Sequence, residues 1–248
     1  MKTIVMCEGD SRTWVGSGWG YYPLIGSYPY YLQQLLGNDY DVRQWGEGGT
    51  AVSVNHYRSI WNFMETGKRT LIFQKGLNVQ QFNSAFERGF PAEDDLDDAK
   101  WIVIANYGTI DAGAKSWSTV KSKFVASYKS YFGQKKGEFY ICLPQPTFNK
   151  GENSNWSEIP NANIIEQQPM IKQIAQDLGI KTVDLNTGIT SNLSGDGIHF
   201  GEEANKIFAE RVYKAMTGNV IPPQPPTPPV NNNAQYVKEI KILLDKIK

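Results

Sequence analysis

Five short apolar runs, separated by stretches with helical spacing, constrain the fold of this 248-residue chain more than any other feature. The runs that predict strands are Thr3–Cys7, Tyr40–Trp45, Trp101–Asn106, Glu138–Leu143 and Lys181–Leu185. The stretches that predict helices are 30–36, 52–64, 120–132, 164–178 and 202–216. This alternation predicts an α/β fold in which a parallel five-stranded sheet lies between two layers of helices, a three-layer α/β/α sandwich.

Proline and glycine mark the expected limits of the last two helices. Pro169 lies inside the stretch 164–178, so we expect the regular helix to begin only there. Gly179 and Gly218 stand where helix C-caps are expected. The stretch 66–100 has no clear pattern beyond a short strand, a helix and an acidic run, and we assign it no function.

A change of composition near residue 219 predicts three segments: a domain over 1–218, a proline-rich linker over 219–233 and an amphipathic helix over 234–248. The apolar stripe of that helix carries Tyr236, Ile240, Leu243 and Ile247. At this length it is too short to be stable alone in water. We expect it to form a homo-oligomer or to dock on a partner, the alternative being a helix that folds back on its own domain.

Composition excludes several classes of partner. The 25 Lys and Arg residues balance the 25 Asp and Glu residues, so no basic excess indicates a nucleic-acid partner. No run reaches the roughly 18 apolar residues of a membrane span, and the run Ile4–Cys7 is too short for a signal peptide. We therefore expect a soluble protein, whether cytoplasmic, virion-associated or a mature secreted form.

The two cysteines, Cys7 and Cys142, both fall in predicted strands. Two thiols in apolar runs indicate buried core residues rather than a disulfide framework. Nothing around them has the spacing of metal ligands, and no histidine or other base is patterned beside either one. We expect neither a metal site at these cysteines nor a catalytic cysteine.

Residues that could act in catalysis or in ligand binding follow four of the predicted strands. Asp10 and Ser11 come after the first, and the glycine-rich stretch 46–50, "GEGGT", after the second. Residues 106–111, "NYGTID", follow the third, and Asp196 and His199 come after the fifth. Because ligands bind outside the carboxyl ends of parallel strands, we expect these groups to gather at one edge of the sheet.

These groups suit nucleophilic catalysis. With Asp at i and His at i+3 in a turn, Asp196 could hold the His199 ring in one tautomer and stabilise its protonated form. His199 could then take the proton of the Ser11 hydroxyl and make it a nucleophile. The backbone N–H groups of "GEGGT" could stabilise a developing oxyanion.

Three blocks of sequence resemble the SGNH, or GDSL, hydrolase superfamily over most of the chain, from about residue 2 to residue 216. They are "GDS" (9–11), "VRQWGEGGTA" (42–51) and "SGDGIHFGEEANKIFAERV" (194–212). Within the superfamily, "ICLPQPTFN" and the spacing around "GTIDAGAKSW" look most like bacterial esterases that remove acetyl groups from carbohydrates. The resemblance implies a flavodoxin-like sheet, ester hydrolysis through an acyl-enzyme, no cofactor, and an acetylated saccharide or other small ester as substrate.

The same resemblance implies a role for each matched residue. Ser11 takes the place of the nucleophile, His199 that of the base and Asp196 that of the acid that orients it. The oxyanion hole falls on the N–H groups of Ser11 and Gly49, with Gly48 as the nearest alternative to Gly49.

One block departs from the family pattern. The third block is typically Gly-x-Asn-Asp, and its Asn donates to the oxyanion, but this chain has Ile110 at that position. Either Asn106 or Thr109 supplies the donor instead, or the hole consists of the Ser11 and Gly49 N–H groups alone. An alternative function is a non-catalytic carbohydrate-binding or structural domain of a larger assembly, for example a phage particle.

The loop after the nucleophile is rich in glycine and aromatic residues, "WVGSGWGYY". Trp14, Trp19, Tyr21 and Tyr22 could line a sugar site, or they could pack beneath the loop. Asp10 is expected to fix the Gly-Asp-Ser turn through bonds from its side chain to the backbone, and it is also a candidate contact for the substrate.

Overall fold

A computed structural model of the chain describes residues 3–13, 25–46, 100–114, 137–148 and 159–219. Its strands are β1 (Thr3–Gly9), β2 (Tyr40–Gly46), β3 (Trp101–Asn106), β4 (Gly137–Leu143) and β5 (Lys181–Asp184). Its helices are α1 (Tyr28–Leu36), α2 (Thr109–Ala114), α3 (Asn161–Leu178) and α4 (Glu202–Thr217), with 3₁₀ turns at Gly37–Asp39 and Ser191–Leu193. All five strands predicted from the apolar runs are confirmed, each end within two residues of the expected position.

The strands form one parallel sheet in the order β2-β1-β3-β4-β5. In this register Gly9 at the end of β1 lies opposite Gly46 of β2 and Asn106 of β3. The carboxyl ends of these three strands therefore lie side by side, and whatever follows them in sequence emerges at one edge of the sheet. This confirms the predicted α/β fold.

Alternating side chains of the strands supply two apolar faces. On β3, Ile102 and Ile104 join a buried cluster that also includes Leu32 of α1 and Phe208 of α4, so α1 and α4 cover one face together. On the other face α3 packs against β4 and β5, and its Ile164 joins a second buried cluster. Burial on both faces explains why the strands are nearly continuous apolar runs.

The expectation that a regular helix begins only at Pro169 is wrong, because α3 runs from Asn161 through Pro169 to Leu178. A proline inside a helix leaves the carbonyl four residues earlier, here that of Ile165, without its usual donor. Pro169 and Ile165 both lie on the exposed face of α3, where water can reach that carbonyl. The expected C-caps at Gly179 and Gly218 are confirmed.

Helix α2, which the sequence did not predict, begins three residues after β3 and is held from the side by α3. The Gln167 amide donates to the carbonyl oxygen of Gly108 at 2.7 Å, and the Asn163 amide donates to that of Ala112 at 3.0 Å. These bonds from α3 fix the position of α2, and with it Ile110, at the carboxyl end of the sheet.

Several predictions fall on parts of the chain outside the described residues. They are the helices over 52–64 and 120–132, the region 66–99, and the linker and terminal helix beyond residue 219. These stay predictions. Within the described ranges, none of the helices combines the length and the apolar character needed to cross a membrane.

The two cysteines are free and buried, as the sequence predicted. Burial raises the pKa of the Cys7 thiol to about 12 and that of Cys142 well above its usual value. Both thiols therefore stay protonated near neutral pH, which makes them poor nucleophiles.

Replacement of Gly9 tests how closely β1 and its neighbours approach at the end of the sheet. A Cβ at this position would clash with Thr13 Oγ1 and lie 2.5 Å from the carbonyl oxygen of Asn106. We expect Gly9→Ala to lower the free energy of unfolding by about 1–3 kcal/mol, the usual cost of overpacking. Gly195→Ala is the control, since a Cβ there would meet nothing within 4 Å. Equal stability of the two variants in urea unfolding would contradict this prediction.

Candidate active site

The turn that carries Ser11 is built by its neighbours. Asp10 Oδ1 accepts a hydrogen bond from the backbone N–H of Arg12 at 2.9 Å, and the N–H of Thr13 donates to the Asp10 carbonyl oxygen at 3.0 Å. The Asp10 side chain is 1% exposed. This burial and these bonds favour the turn-forming role of Asp10 over contact with a substrate, and they leave the partly exposed Ser11 at the rim.

A second turn carries Asp196 and His199, and Ser194 closes it. The Ser194 hydroxyl donates to the His199 carbonyl oxygen at 2.7 Å and accepts from the Gly197 N–H at 2.9 Å. Gly197 has φ of 92°, a conformation that glycine adopts at little cost. Asp196 Oδ1 accepts the N–H groups of Ile198 and His199 at 2.9 and 2.7 Å, which fixes the carboxylate.

The two turns meet in one row of hydrogen bonds. Ser11 Oγ lies 3.0 Å from His199 Nε2, and His199 Nδ1 lies 2.6 Å from Asp196 Oδ2. A carboxylate at Nδ1 favours the tautomer with its proton on that nitrogen, which leaves the Nε2 lone pair facing the hydroxyl. The arrangement is suited to remove a proton from Ser11, and the catalytic roles of the three residues stay a prediction.

The Asp196 carboxylate is held in its charged form. Partial burial acts to raise its pKa, but the N–H and ring of His199 and the N–H of Ile198 outweigh that effect, so the pKa of Asp196 lies below its usual value. A carboxylate ionised at neutral pH can stabilise a protonated imidazole beside it.

Asp10 shows the opposite behaviour. Burial raises its pKa, and the nearby charge of Arg12, the Arg12 N–H and the Thr109 hydroxyl each reduce that rise. Thr109, one of the two candidates for a third oxyanion donor, is buried beside Asp10.

The other candidate donor, Asn106, is also buried, and its amide donates to Thr13 Oγ1 at 3.1 Å. Ile110, which stands where the family has Asn, packs against the cluster of Ala112, Ile159, Ile164 and Ile198. These placements favour a hole made of backbone N–H groups. Gly48 and Gly49, predicted to supply one of them, lie outside the described residues, as do the predicted sugar-site residues Trp14, Trp19, Tyr21 and Tyr22.

Comparison with known proteins decides the family. The model of the GDSL-like lipase/acylhydrolase family matches residues 5–212. The chain belongs to this family. This match confirms the family membership predicted from the sequence. Members of this family are lipases and acylhydrolases, so the protein is a hydrolase of acyl esters. None of the curated protein sequences compared with the chain matches it.

Solved structures share the fold of the GDSL chain at low sequence identity. A carbohydrate acetylesterase from Sinorhizobium meliloti is 14% identical, with a TM-score of 0.58 over 88% of this chain and 99% of the other. The aryl esterase of M. smegmatis is 16% identical, with a TM-score of 0.56 over 87% and 99%. A member of the lipolytic G-D-S-L family from Veillonella parvula is 18% identical, with a TM-score of 0.54 over 87% and 98%. At these identities the likeness concerns the fold.

Two features beside the site were not predicted from the sequence. Arg12, which stands where the family name has Leu, is 3% exposed although it is charged. Glu8, at the end of β1, is fully buried and accepts a hydrogen bond from the Tyr107 hydroxyl. From sequence alone, a charged residue next to a turn is expected at the surface, so no sequence pattern predicts the burial of Arg12 or of Glu8.

No metal-binding cluster of three or more His, Cys, Asp or Glu residues occurs among the residues that the structure describes.

Asp196→Asn tests the electrostatics of the second turn. Because the folded pKa lies below the unfolded value of about 3.9, the carboxylate stabilises the fold fully above that value. This contribution is lost as the pH falls through the folded pKa. We expect the wild type to be more stable than the variant near pH 6, and the difference to shrink below about pH 4. Urea unfolding across this range measures it, and a difference that stays constant with pH would contradict the assignment.

Proposed function

We propose that this GDSL hydrolase is a serine esterase that removes O-acetyl groups from a carbohydrate through an acyl-enzyme. The observation that carries the proposal is the row of hydrogen bonds from Ser11 Oγ through the His199 ring to Asp196, with distances of 3.0 and 2.6 Å. Distances in this range are what proton transfer between a nucleophile and its base requires.

The first half of the reaction acylates the serine. Ser11 Oγ attacks the carbonyl carbon of the ester while His199 Nε2 takes the hydroxyl proton. The tetrahedral intermediate collapses, the bond to the sugar oxygen breaks, and His199 returns the proton to that oxygen. Asp196 stabilises the imidazolium in between. The N–H groups of Ser11 and Gly49 are proposed to bind the oxyanion.

The second half releases the acid. His199 takes a proton from water as the water oxygen attacks the acyl carbon, and the second tetrahedral intermediate expels Ser11 Oγ, which recovers its proton from His199. The products are acetate and the free sugar hydroxyl, and the enzyme returns to its starting state. No cofactor takes part in this scheme.

An acetylated saccharide is proposed as the substrate on two grounds. The sequence blocks around 108–117 and 141–149 resemble carbohydrate acetylesterases, and one structure with the same fold is a carbohydrate acetylesterase. The aromatic residues Trp14, Trp19, Tyr21 and Tyr22 are proposed to stack on the sugar. Acetate release from a panel of acetylated polysaccharides identifies the substrate, and turnover of aryl acetates with none of the polysaccharides would exclude a saccharide.

One observation favours the alternative of a binding domain without catalysis. The Ile110 side chain packs on an apolar cluster and has no hydrogen-bond donor, while Asn106 bonds Thr13 and Thr109 bonds Asp10. Loss of one oxyanion donor costs about 10²–10³ in rate, a loss that still leaves an active enzyme. The intact row of Ser11, His199 and Asp196 favours the esterase.

Replacement of the nucleophile separates the two functions. We expect Ser11→Ala to reduce turnover of p-nitrophenyl acetate by at least about 10³-fold, because the acyl-enzyme cannot form. Ser191→Ala is the control, since Ser191 is an exposed serine in the 3₁₀ turn Ser191–Leu193. Equal rates for wild type and Ser11→Ala would leave only the binding function.

The segment 234–248 is proposed to join copies of the chain or to dock on a partner, through the stripe Tyr236, Ile240, Leu243 and Ile247. Its apolar side chains are expected to be buried in a contact between helices, since an isolated helix of this length is unstable. We expect light scattering to give a larger mass per particle for the full chain than for a chain ending at residue 219. If the two measured masses differ only by the mass of the deleted residues, the self-association proposal is wrong.

A further inference from the structure

Arg12 is a buried cation beside the proposed nucleophile, and the proposed reaction gives it no role. Its guanidinium donates from Nη1 to the Gln145 carbonyl oxygen and from Nη2 to the Pro146 carbonyl oxygen, the second at 3.0 Å. The guanidinium carbon also lies 5.4 Å from the centre of the Phe200 ring.

These contacts connect both halves of the site. Arg12 follows Ser11 in the chain, and Phe200 follows His199. The loop after β4 that accepts the two hydrogen bonds also contacts the second turn, where the Phe148 N–H donates to the Gly197 carbonyl oxygen at 2.8 Å. One side chain thus ties the Ser11 turn to the loop and the ring that flank His199.

Stability alone does not explain a cation here. Burial lowers the pKa of Arg12 to about 10, and the charges of Asp10 and Asp196 act against that decrease. Replacing a buried ion by a well-packed apolar side chain is often neutral or stabilising. The leucine in the family's name would avoid the desolvation cost, so the two directed hydrogen bonds of Arg12 call for another explanation.

We propose that Arg12 is a positioning residue that holds Ser11 Oγ within hydrogen-bonding distance of His199 Nε2. It acts through the backbone of the Ser11 turn and through the loop after β4, and it does not touch the substrate. The kinetic tests of this inference rest on the proposed esterase function. The spectroscopic test does not require turnover.

The kinetic test compares three variants. We expect Arg12→Leu to lower kcat for p-nitrophenyl acetate by about 100-fold, the cost of roughly 1 Å of misplacement. KM should stay within about twofold, because the contacts with the substrate are intact. Arg12→Lys keeps the charge and hydrogen-bond donors but lacks the planar guanidinium that bonds both carbonyls, so we expect a smaller loss of about tenfold. If Arg12→Leu fails to fold, the kcat and KM of Arg12→Lys test the proposal instead.

Arg211→Leu is the matched control. Arg211 also donates to two backbone carbonyls, those of Asp184 at 3.0 Å and Thr187 at 2.6 Å, but it clamps the loop after β5 rather than the Ser11 turn. We expect its kcat to stay within about twofold of the wild type. An equal loss in the Arg12 and Arg211 variants would assign the effect to general loosening of the fold and overturn the proposal.

A double-mutant cycle shows whether Arg12 acts through the pair. If its role is to align Ser11 with His199, then Arg12→Leu should cost nothing further, within about twofold, in a His199→Ala background. The same 100-fold loss in both backgrounds would contradict the positioning role.

Nitrogen-15 NMR of the histidine rings tests the geometry without turnover. The chain has two histidines, and His199→Ala assigns the signals of residue 199. The Nε2 signal of the neutral ring reports whether Nε2 accepts a hydrogen bond, so we expect it to move in Arg12→Leu towards its position in Ser11→Ala, and not in Arg211→Leu. An unmoved signal overturns the proposal. Should Ser11→Ala turn over substrate like the wild type, the esterase function fails, and this spectrum still decides the role of Arg12.

Discussion

The hydrogen bond between Ser11 Oγ and His199 Nε2 joins two turns that are 188 residues apart in sequence, and the site depends on it. Neither turn can provide it alone. Because the sheet is parallel, the carboxyl ends of β1 and β5 lie at the same edge. The fold therefore brings the turn after β1 near the turn that carries His199. The final alignment of the two groups, to within about 0.5 Å, must come from interactions around the two turns.

Those interactions are short-range and mostly between side chain and backbone. Asp10 shapes the turn of Ser11, Ser194 and Gly197 shape the turn of His199, and the loop after β4 lies between them. Asp10, Arg12 and Asn106 are buried and each makes hydrogen bonds. Ser11, Asp196 and His199 instead keep part of their surface exposed. Buried, hydrogen-bonded residues beneath partly exposed reactive groups are the arrangement that preorganised catalysis requires.

The sequence was sufficient to predict what depends on periodicity and on family blocks, namely the five strands and the turn in which Asp196 contacts His199. Prediction from the sequence failed where tertiary contacts outweigh a local sequence rule. Pro169 is tolerated because it lies on the exposed face of α3, and α2 is bonded by amide side chains of α3 that lie far from it in sequence. Arg12 could not be predicted as buried, since its partners at Gln145 and Pro146 are carbonyls, which every sequence supplies.

The central claim is that Ser11 becomes covalently acylated with His199 as its base, and trapping that species tests it most directly. The wild type is mixed briefly with p-nitrophenyl acetate, quenched in acid and digested for mass spectrometry. We expect one added acetyl group on the peptide that contains Ser11, and no acetyl group on that peptide in Ser11→Ala or in His199→Ala. Turnover with no acetyl on this peptide, or with acetyl on another residue, would contradict it.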